Sequence, residues 1–217
     1  MFKNYLVTTV RNLLRNKVNS FINIAGLTIS IACCIVIYVF VRHEKSFDSF
    51  HRNADRIYRM VSDSRNANGV SHEGYVNFAL AKALRNDFPN LKTVTQVYIN
   101  NQATISINEP SGRKVFEEKE MTYADEFFLK TFDYKVLAGQ SHNLLSAPGE
   151  VVLTKQLADK FYGKSYENRY DQLIGKSITV NKNMYRIAAV LQNIPRNSNV
   201  TFRMLLPFKD YERSNPG

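Results

Sequence analysis

The pattern of apolar and polar positions divides the chain into three parts. From Val18 to Val41, a run of twenty-four residues, no side chain is charged. Its stretch Phe21 to Val41 spans roughly 31 Å as a helix, at about 1.5 Å per residue, which is close to the hydrocarbon thickness of a bilayer. Polar groups interrupt that stretch only at Asn23, Thr28 and Ser30, so it lacks the polar face of a core helix. A secretory signal has a shorter apolar core, on the order of 7–15 residues, then a small-x-small cleavage site. Ile37-Tyr38-Val39-Phe40-Val41 offers no such site. The pattern therefore predicts a retained membrane-spanning helix over 18–41.

The segment before it, 1–17, has its own period. Phe2, Leu6, Val10, Leu13 and Leu14 recur at helical spacing, with Lys3, Arg11 and Arg15 on or near the other face. A basic amphipathic helix beside a span lies in the interface, apolar side down, against anionic headgroups. Arg11, Arg15 and Lys17 are its candidate lipid contacts. The first acidic residue of the chain is Glu44. Positive charge stays on the cytoplasmic side, so the N-terminus is predicted inside and residues 42–217 outside. Tyr38, Phe40, Arg42 and His43 then form a candidate collar at the outer membrane interface.

Beyond Val41 short alternating runs take over. Strands are predicted at Arg56–Val61, Val94–Ile99, Ala103–Ile107, Lys114–Met121 and Phe202–Phe208. Asn77 caps a helix bearing Leu80, Leu84 and Phe88, stopped by Pro89, and Asp125 caps a short one through Phe128 and Phe132. Glu150–Leu153 reads as a strand feeding a helix capped by Thr154, with Leu157, Ala158 and Phe161 inward and Gly163 at its end. Ile178–Val180, the turn Asn181–Asn183, and Tyr185–Leu191 read as a hairpin. The fold class is α+β: an amphipathic helix and a single transmembrane helix, then a mixed α/β two-layer domain.

Charge and cysteine content narrow the function. The formal net charge of the chain is +10; without the first segment, 25 basic residues face 19 acidic ones, about +6 over the outer domain. That is an ordinary basic surface, and a domain outside the cytoplasm meets no nucleic acid. Cys33 and Cys34 are adjacent and inside the span, where they read as small apolar packing residues. The outer domain therefore has no disulfide and depends on its core, which its size permits.

Catalytic motifs do not emerge. Gly163-Lys164-Ser165 and Gly175-Lys176-Ser177 invite a phosphate-loop reading, but the motif needs a further glycine five residues before each Gly-Lys pair. Those positions hold Ala158 and Tyr170. Among His43, His51, His72 and His142 no pair has the spacing of a helical zinc site. His43 and His51 bracket Glu44 and Asp48, a segment that reads as a polar collar at headgroup level. No serine or threonine stands in a Gly-x-Ser-x-Gly elbow. No catalytic, cofactor-binding or metal residue is assigned, and the chain does not read as an enzyme.

Several segments, in order, resemble MacB/FtsX-type ABC transporter permeases. They are Arg11-Asn-Leu-Leu-Arg-Asn-Lys17 with Ser20-Phe-Ile-Asn-Ile-Ala-Gly-Leu27, and Glu44-Lys-Ser-Phe-Asp-Ser-Phe-His51 with Asn53-Ala-Asp-Arg-Ile-Tyr-Arg59. Further on come Val151–Gly163, Ile174–Ile178 and Asn193-Ile-Pro-Arg-Asn-Ser198. The resemblance implies that 42–217 is a MacB-like periplasmic core domain behind the first span of an inner-membrane permease. Such permeases work as dimers with an ABC-type ATPase, separate or fused, and drive a periplasmic domain that engages substrates or adaptor proteins. ATP is then used by the partner, and Arg11, Arg15 and Lys17 gain a second role near it. Permeases of this type have four spans, and this chain carries one, so it is expected to be an N-terminal portion. The alternative reading is a single-pass anchored extracytoplasmic sensor or ligand-binding protein.

Overall fold

The amphipathic and apolar runs at the start of the chain form α1 (Phe2–Arg15) and α2 (Lys17–Glu44). The two are separated at Asn16, whose backbone leaves the helical region with φ −108° and ψ 55°. In α2 the polar side chains are satisfied within the helix: Thr28 Oγ1 donates to the Ile24 carbonyl at 2.7 Å, and Ser30 Oγ to that of Gly26 at 2.9 Å. In an apolar surround a hydroxyl needs that local acceptor. The computed structural model describes residues 2–66, 69–100, 102–109 and 112–215. Within it the chain forms two units, Met1–Phe47 and Asp48–Gly217.

The second unit begins with a 3₁₀ turn, Ala54–Arg56, and an extended stretch with no ladder. The strand expected at Arg56–Val61 is absent there; pairing begins at β1 (Ser62–Asn66), against β2 (Gly69–Glu73). A strand needs a neighbour, and the neighbour that chain connectivity supplies lies beyond Val61. Helix α3 (Ala79–Asp87) follows, and the Ala79 N–H donates to Asn77 Oδ1 at 2.9 Å, the expected cap.

The main sheet contains β3 (Val97–Asn100), β4 (Ala103–Glu109), β5 (Gly112–Glu118), β6 (Met121–Ala124), β7 (Val136–Gly139), β8 (Glu150–Thr154), β9 (Ser177–Val180), β10 (Asn183–Leu191) and β11 (Met204–Pro207). Its order is β3-β6-β11-β8-β10-β9-β4-β5, with β7 also on β10. The β8–β10 and β6–β11 pairs are parallel and the other pairs antiparallel. The single strand expected over Lys114–Met121 is two, because Glu120 takes φ 61° and turns the chain. The β9–β10 hairpin turns on Asn181 and Lys182 at φ 47° and 73°, the left-handed pair that two-residue hairpins use. Gly139 has φ 90°, and a Cβ there would lie 2.8 Å from Ala189 Cα, so only glycine lets β7 approach β10.

Alternation along the strands fills both faces of this sheet. Val151, Leu153, Met204 and Leu206 point to one side, against Leu157, Ala158 and Phe161 of α5 (Lys155–Tyr162). Val152 and Leu205 point to the other, with Phe128 of α4 (Phe128–Thr131), Leu145 and Phe202. Helix α6 (Phe208–Ser214) ends the described chain; the strand expected to Phe208 stops at Pro207 and that residue opens the helix. Tyr211 packs on Tyr98 at 4.3 Å between ring centroids, joining α6 to the sheet. Two buried carboxylates tie elements together. Asp125 receives Arg85 and Thr95, and Glu118 receives Lys160 and Arg203.

Candidate functional site

The predicted basic residues lie on two helices. Arg11 and Arg15 sit four apart on α1, hence on one face, whereas Lys17 opens α2. Tyr5, Val7, Val10, Leu13 and Leu14 of α1 are exposed, as an amphipathic face without a protein partner is. The side chains of Phe2, Lys3 and Leu6, which the sequence pattern also used, lie outside the described set. Tyr38, Phe40, Arg42 and His43 all belong to α2 and are exposed, and Arg42 reaches the Tyr38 hydroxyl at 3.5 Å.

The more informative site is one the pattern did not show. Four residues after the end of α2, Asp48 opens the sheet unit and is held by its later residues. Its N–H donates to the Asn197 carbonyl at 2.9 Å. Its carboxylate accepts from Ser198 Oγ at 3.1 Å, from the Asn199 N–H at 3.0 Å and from Asn199 Nδ2 at 2.7 Å. These partners stand about 150 residues later in the chain. The next turn carries His51, which is 3 % exposed. Its Nδ1 accepts from the Asp133 N–H at 3.1 Å, and the Asp133 carboxylate accepts from the Arg52 N–H at 2.8 Å. The ring of His51 sits among Phe50, Phe132 and Tyr134, at 4.0, 5.1 and 5.2 Å between centroids. Tyr134 continues to Phe202 and Phe128 at 5.1 and 5.8 Å, inside the second core cluster.

This arrangement takes Asp48 and His51 out of the polar collar expected at headgroup level. Asp48 and His51 are spent on contacts within the sheet unit. Electrostatics agree with burial. His51 has its pKa lowered from 6.5 because desolvation outweighs the attraction of Asp48 and Asp133. Burial pushes the Tyr134 phenol up to about 12. Both groups are neutral near pH 7, as an apolar latch requires. The segments Glu44–His51 and Asn193–Ser198 each stood out in the sequence; their contact did not, because no spacing rule joins positions so far apart. The Gly163 and Gly175 triplets serve as turns, with φ 80° and 82°. Among the described residues no group of three or more His, Cys, Asp or Glu is placed to hold a metal ion.

The model of one family, the MacB-like periplasmic core domain, matches residues 20–217. The chain belongs to that family. The match begins within α2 and runs through the sheet, so it takes in the docking segment as well as both strands of the β8–β10 pair. The MacB-like periplasmic core domain is a part of ABC transporter permeases and is not a catalytic domain. One helix among the described residues, Lys17–Glu44, is long and apolar enough to cross a membrane by length and composition.

Comparison with curated proteins gives no match. Among solved structures, a domain of a protein described as a permease from Porphyromonas gingivalis is 21 % identical with TM-score 0.48, over 60 % of this chain and 56 % of that one. The extracellular domain of the noncanonic ABC-type transporter YknZ from Gram-positive bacteria is 15 % identical with TM-score 0.40, over 63 % and 67 %. The periplasmic region of MacB from Actinobacillus actinomycetemcomitans is 14 % identical with TM-score 0.44, over 79 % and 67 %. The chain thus spans little more than half of the first of these and about two thirds of the others.

Proposed function

We propose that this chain is the membrane-anchored part of a permease subunit in a MacB/FtsX-type ABC transporter. Its N-terminus is cytoplasmic, α2 crosses the inner membrane, and the sheet unit works in the periplasm. A partner ABC-type ATPase supplies ATP hydrolysis, and two permease copies act together. Movement at the cytoplasmic face is passed through α2 to the periplasmic unit, which engages an adaptor or substrate protein; the output is mechanical work or export. The observation that carries this reading is the family match, which joins the apolar helix and the sheet unit in one family segment. The Asp48 attachment supports it, since a short peptide of three residues separates the end of α2 from a multiply bonded anchor.

In this reading Arg11, Arg15 and Lys17 hold α1 against anionic lipid and set its distance from the ATPase. The test is made in the assembled transporter in lipid nanodiscs. Alanine at all three positions is expected to leave the ATPase bound and turning over while abolishing its response to the periplasmic partner. Wild-type coupling in the triple variant sinks the role of these residues. Failure of any ATPase to co-purify with the chain from native membranes sinks the transporter reading.

A further inference from the structure

The main sheet ends on β5, and one side of that strand's backbone pairs with no other strand among the described residues. The Asn181 N–H donates to the Thr104 carbonyl at 2.9 Å, so the backbone of Thr104 faces β9. Thr104 stands opposite Glu117 in the β4–β5 ladder. Directly opposed residues of an antiparallel pair alternate between exchanging both hydrogen bonds and turning their backbones away from each other. Glu117, Val115 and Arg113 are therefore the residues whose N–H and carbonyl point off the edge of the sheet. The ladder runs without a register shift from Ala103 opposite Glu118 to Glu109 opposite Gly112, and β5 contains no proline. Bulges and prolines are what natural edge strands use to refuse a further strand.

The side chains of the same three residues share one face. Val115 is 59 % exposed, and Arg113 and Glu117, two positions to either side, are exposed as well. The other face is committed to the core: Phe116 packs on Phe161 of α5 at 4.8 Å between ring centroids, and Glu118 is buried. Arg113 donates to Ser106 Oγ at 3.2 Å across the ladder, which uses one of the five donors of its guanidinium. The strand thus presents a cation, an apolar side chain and an anion in line, beside its outward backbone groups. Strand β3, at the opposite edge, has four residues and no charge.

We infer that β5 docks, antiparallel, on β5 of a second copy of this chain, about a two-fold axis through Val115. The order cation–apolar–anion is its own complement when the strand is reversed. Arg113 of each copy meets Glu117 of the other, and the two Val115 side chains meet on the axis. Shifting the axis to Lys114 sets Arg113 against Val115, and shifting it to Phe116 sets Val115 against Glu117, so only the axis through Val115 pairs the charges. Arg113, Val115 and Glu117 each exchange two backbone hydrogen bonds with the facing residue. The two-fold repeats the charge pair, so one complementary contact counts twice. A strand of an unrelated protein meets the same backbone groups without this match. The inference gives a surface to the pairing of two copies proposed above, rests on that pairing, and needs no ATPase.

The experiment is oxidative cross-linking of the full chain in detergent micelles, with Cys33 and Cys34 replaced by alanine and one cysteine introduced. Facing residues of a hydrogen-bonded antiparallel pair have Cα atoms about 5.5 Å apart, within reach of a disulfide. Val115→Cys is expected to give a disulfide-linked dimer about tenfold faster than Val70→Cys or Met184→Cys, which replace side chains 50 % and 72 % exposed. Adding Arg113→Glu, which sets glutamate against glutamate twice, is expected to slow that cross-link about tenfold. Adding Glu117→Arg to that variant is expected to restore the rate, since the exchanged charges again oppose. Equal rates at the three cysteine positions overturn the inference. So does a charge reversal without effect, and one that the exchange does not rescue assigns the edge to some other strand. Cross-links through the native Cys33 and Cys34 with none at 115 reject this edge and leave the pairing of copies standing.

Discussion

His51 shows how much a single residue of the docking segment decides. The Asp133 N–H donates to Nδ1, so the neutral ring carries its proton on Nε2, an atom without a partner among the described residues. A second proton would land on Nδ1 and set two donors against each other. Burial already holds the pKa below 6.5, against the pull of Asp48 and Asp133. Between that lowered value and the unfolded value near 6.5, the unfolded chain binds more protons than the folded one. Stability from this group is therefore complete above about pH 6.5 and falls as the pH drops toward the folded pKa. The thermal midpoint of the full chain is expected to decline between about pH 7.5 and about pH 5, and His51→Gln is expected to flatten that decline. An unchanged pH slope in the variant would assign the acid sensitivity to other groups.

The elements show what local pattern can and cannot fix. Helix α5 was legible from Leu157, Ala158 and Phe161 at helical spacing and from Gly163 at its end, and all three apolar residues are buried. Its cap was not. Thr154 stands where a cap belongs, yet the oxygen that receives the Gln156 N–H comes from Asn193, on the far side of the β9–β10 hairpin. Asn193→Ala is expected to cost about 1 kcal/mol of stability, as loss of a helix cap does. Thr154→Val, which keeps the buried shape and removes only the hydroxyl, is expected not to show that loss. A chemical-denaturation midpoint for each variant separates them; a larger loss for Thr154→Val would return the cap to threonine. The same division runs through the strands. The β9–β10 hairpin could be read because its turn and both runs are contiguous. The strand expected at Arg56–Val61 failed because alternation says which face a residue would take but not whether a neighbour exists. Strand β7 escaped notice because it is short and depends on Gly139 meeting Ala189, a contact about fifty residues away.

At the scale of the molecule, the Asp48 attachment is a closure between the start of the sheet unit and its last third. The polar landmarks that form it were both visible in the sequence, but only the fold brings them together. Its strength follows from its chemistry: one carboxylate accepts three hydrogen bonds, from Ser198 and twice from Asn199. Bonds to an ionised acceptor are the stronger kind, and removing this carboxylate is expected to cost about 2 kcal/mol locally. That corresponds to about a thirtyfold increase in the population of the opened segment. Asp48→Ala is therefore expected to speed amide exchange by that order over 48–52 and 197–200. Strands β8, β10 and β11, whose packing does not involve Asp48, should keep their protection. If the chain works as proposed above, the same variant in an assembled transporter is expected to leave ATP turnover intact while weakening the response of the sheet unit. Equal acceleration in β8 and β10 would make Asp48 part of the global core rather than a local attachment. No acceleration at 48–52 would leave the aromatic contacts of Phe50 and His51 as what holds the segment in place.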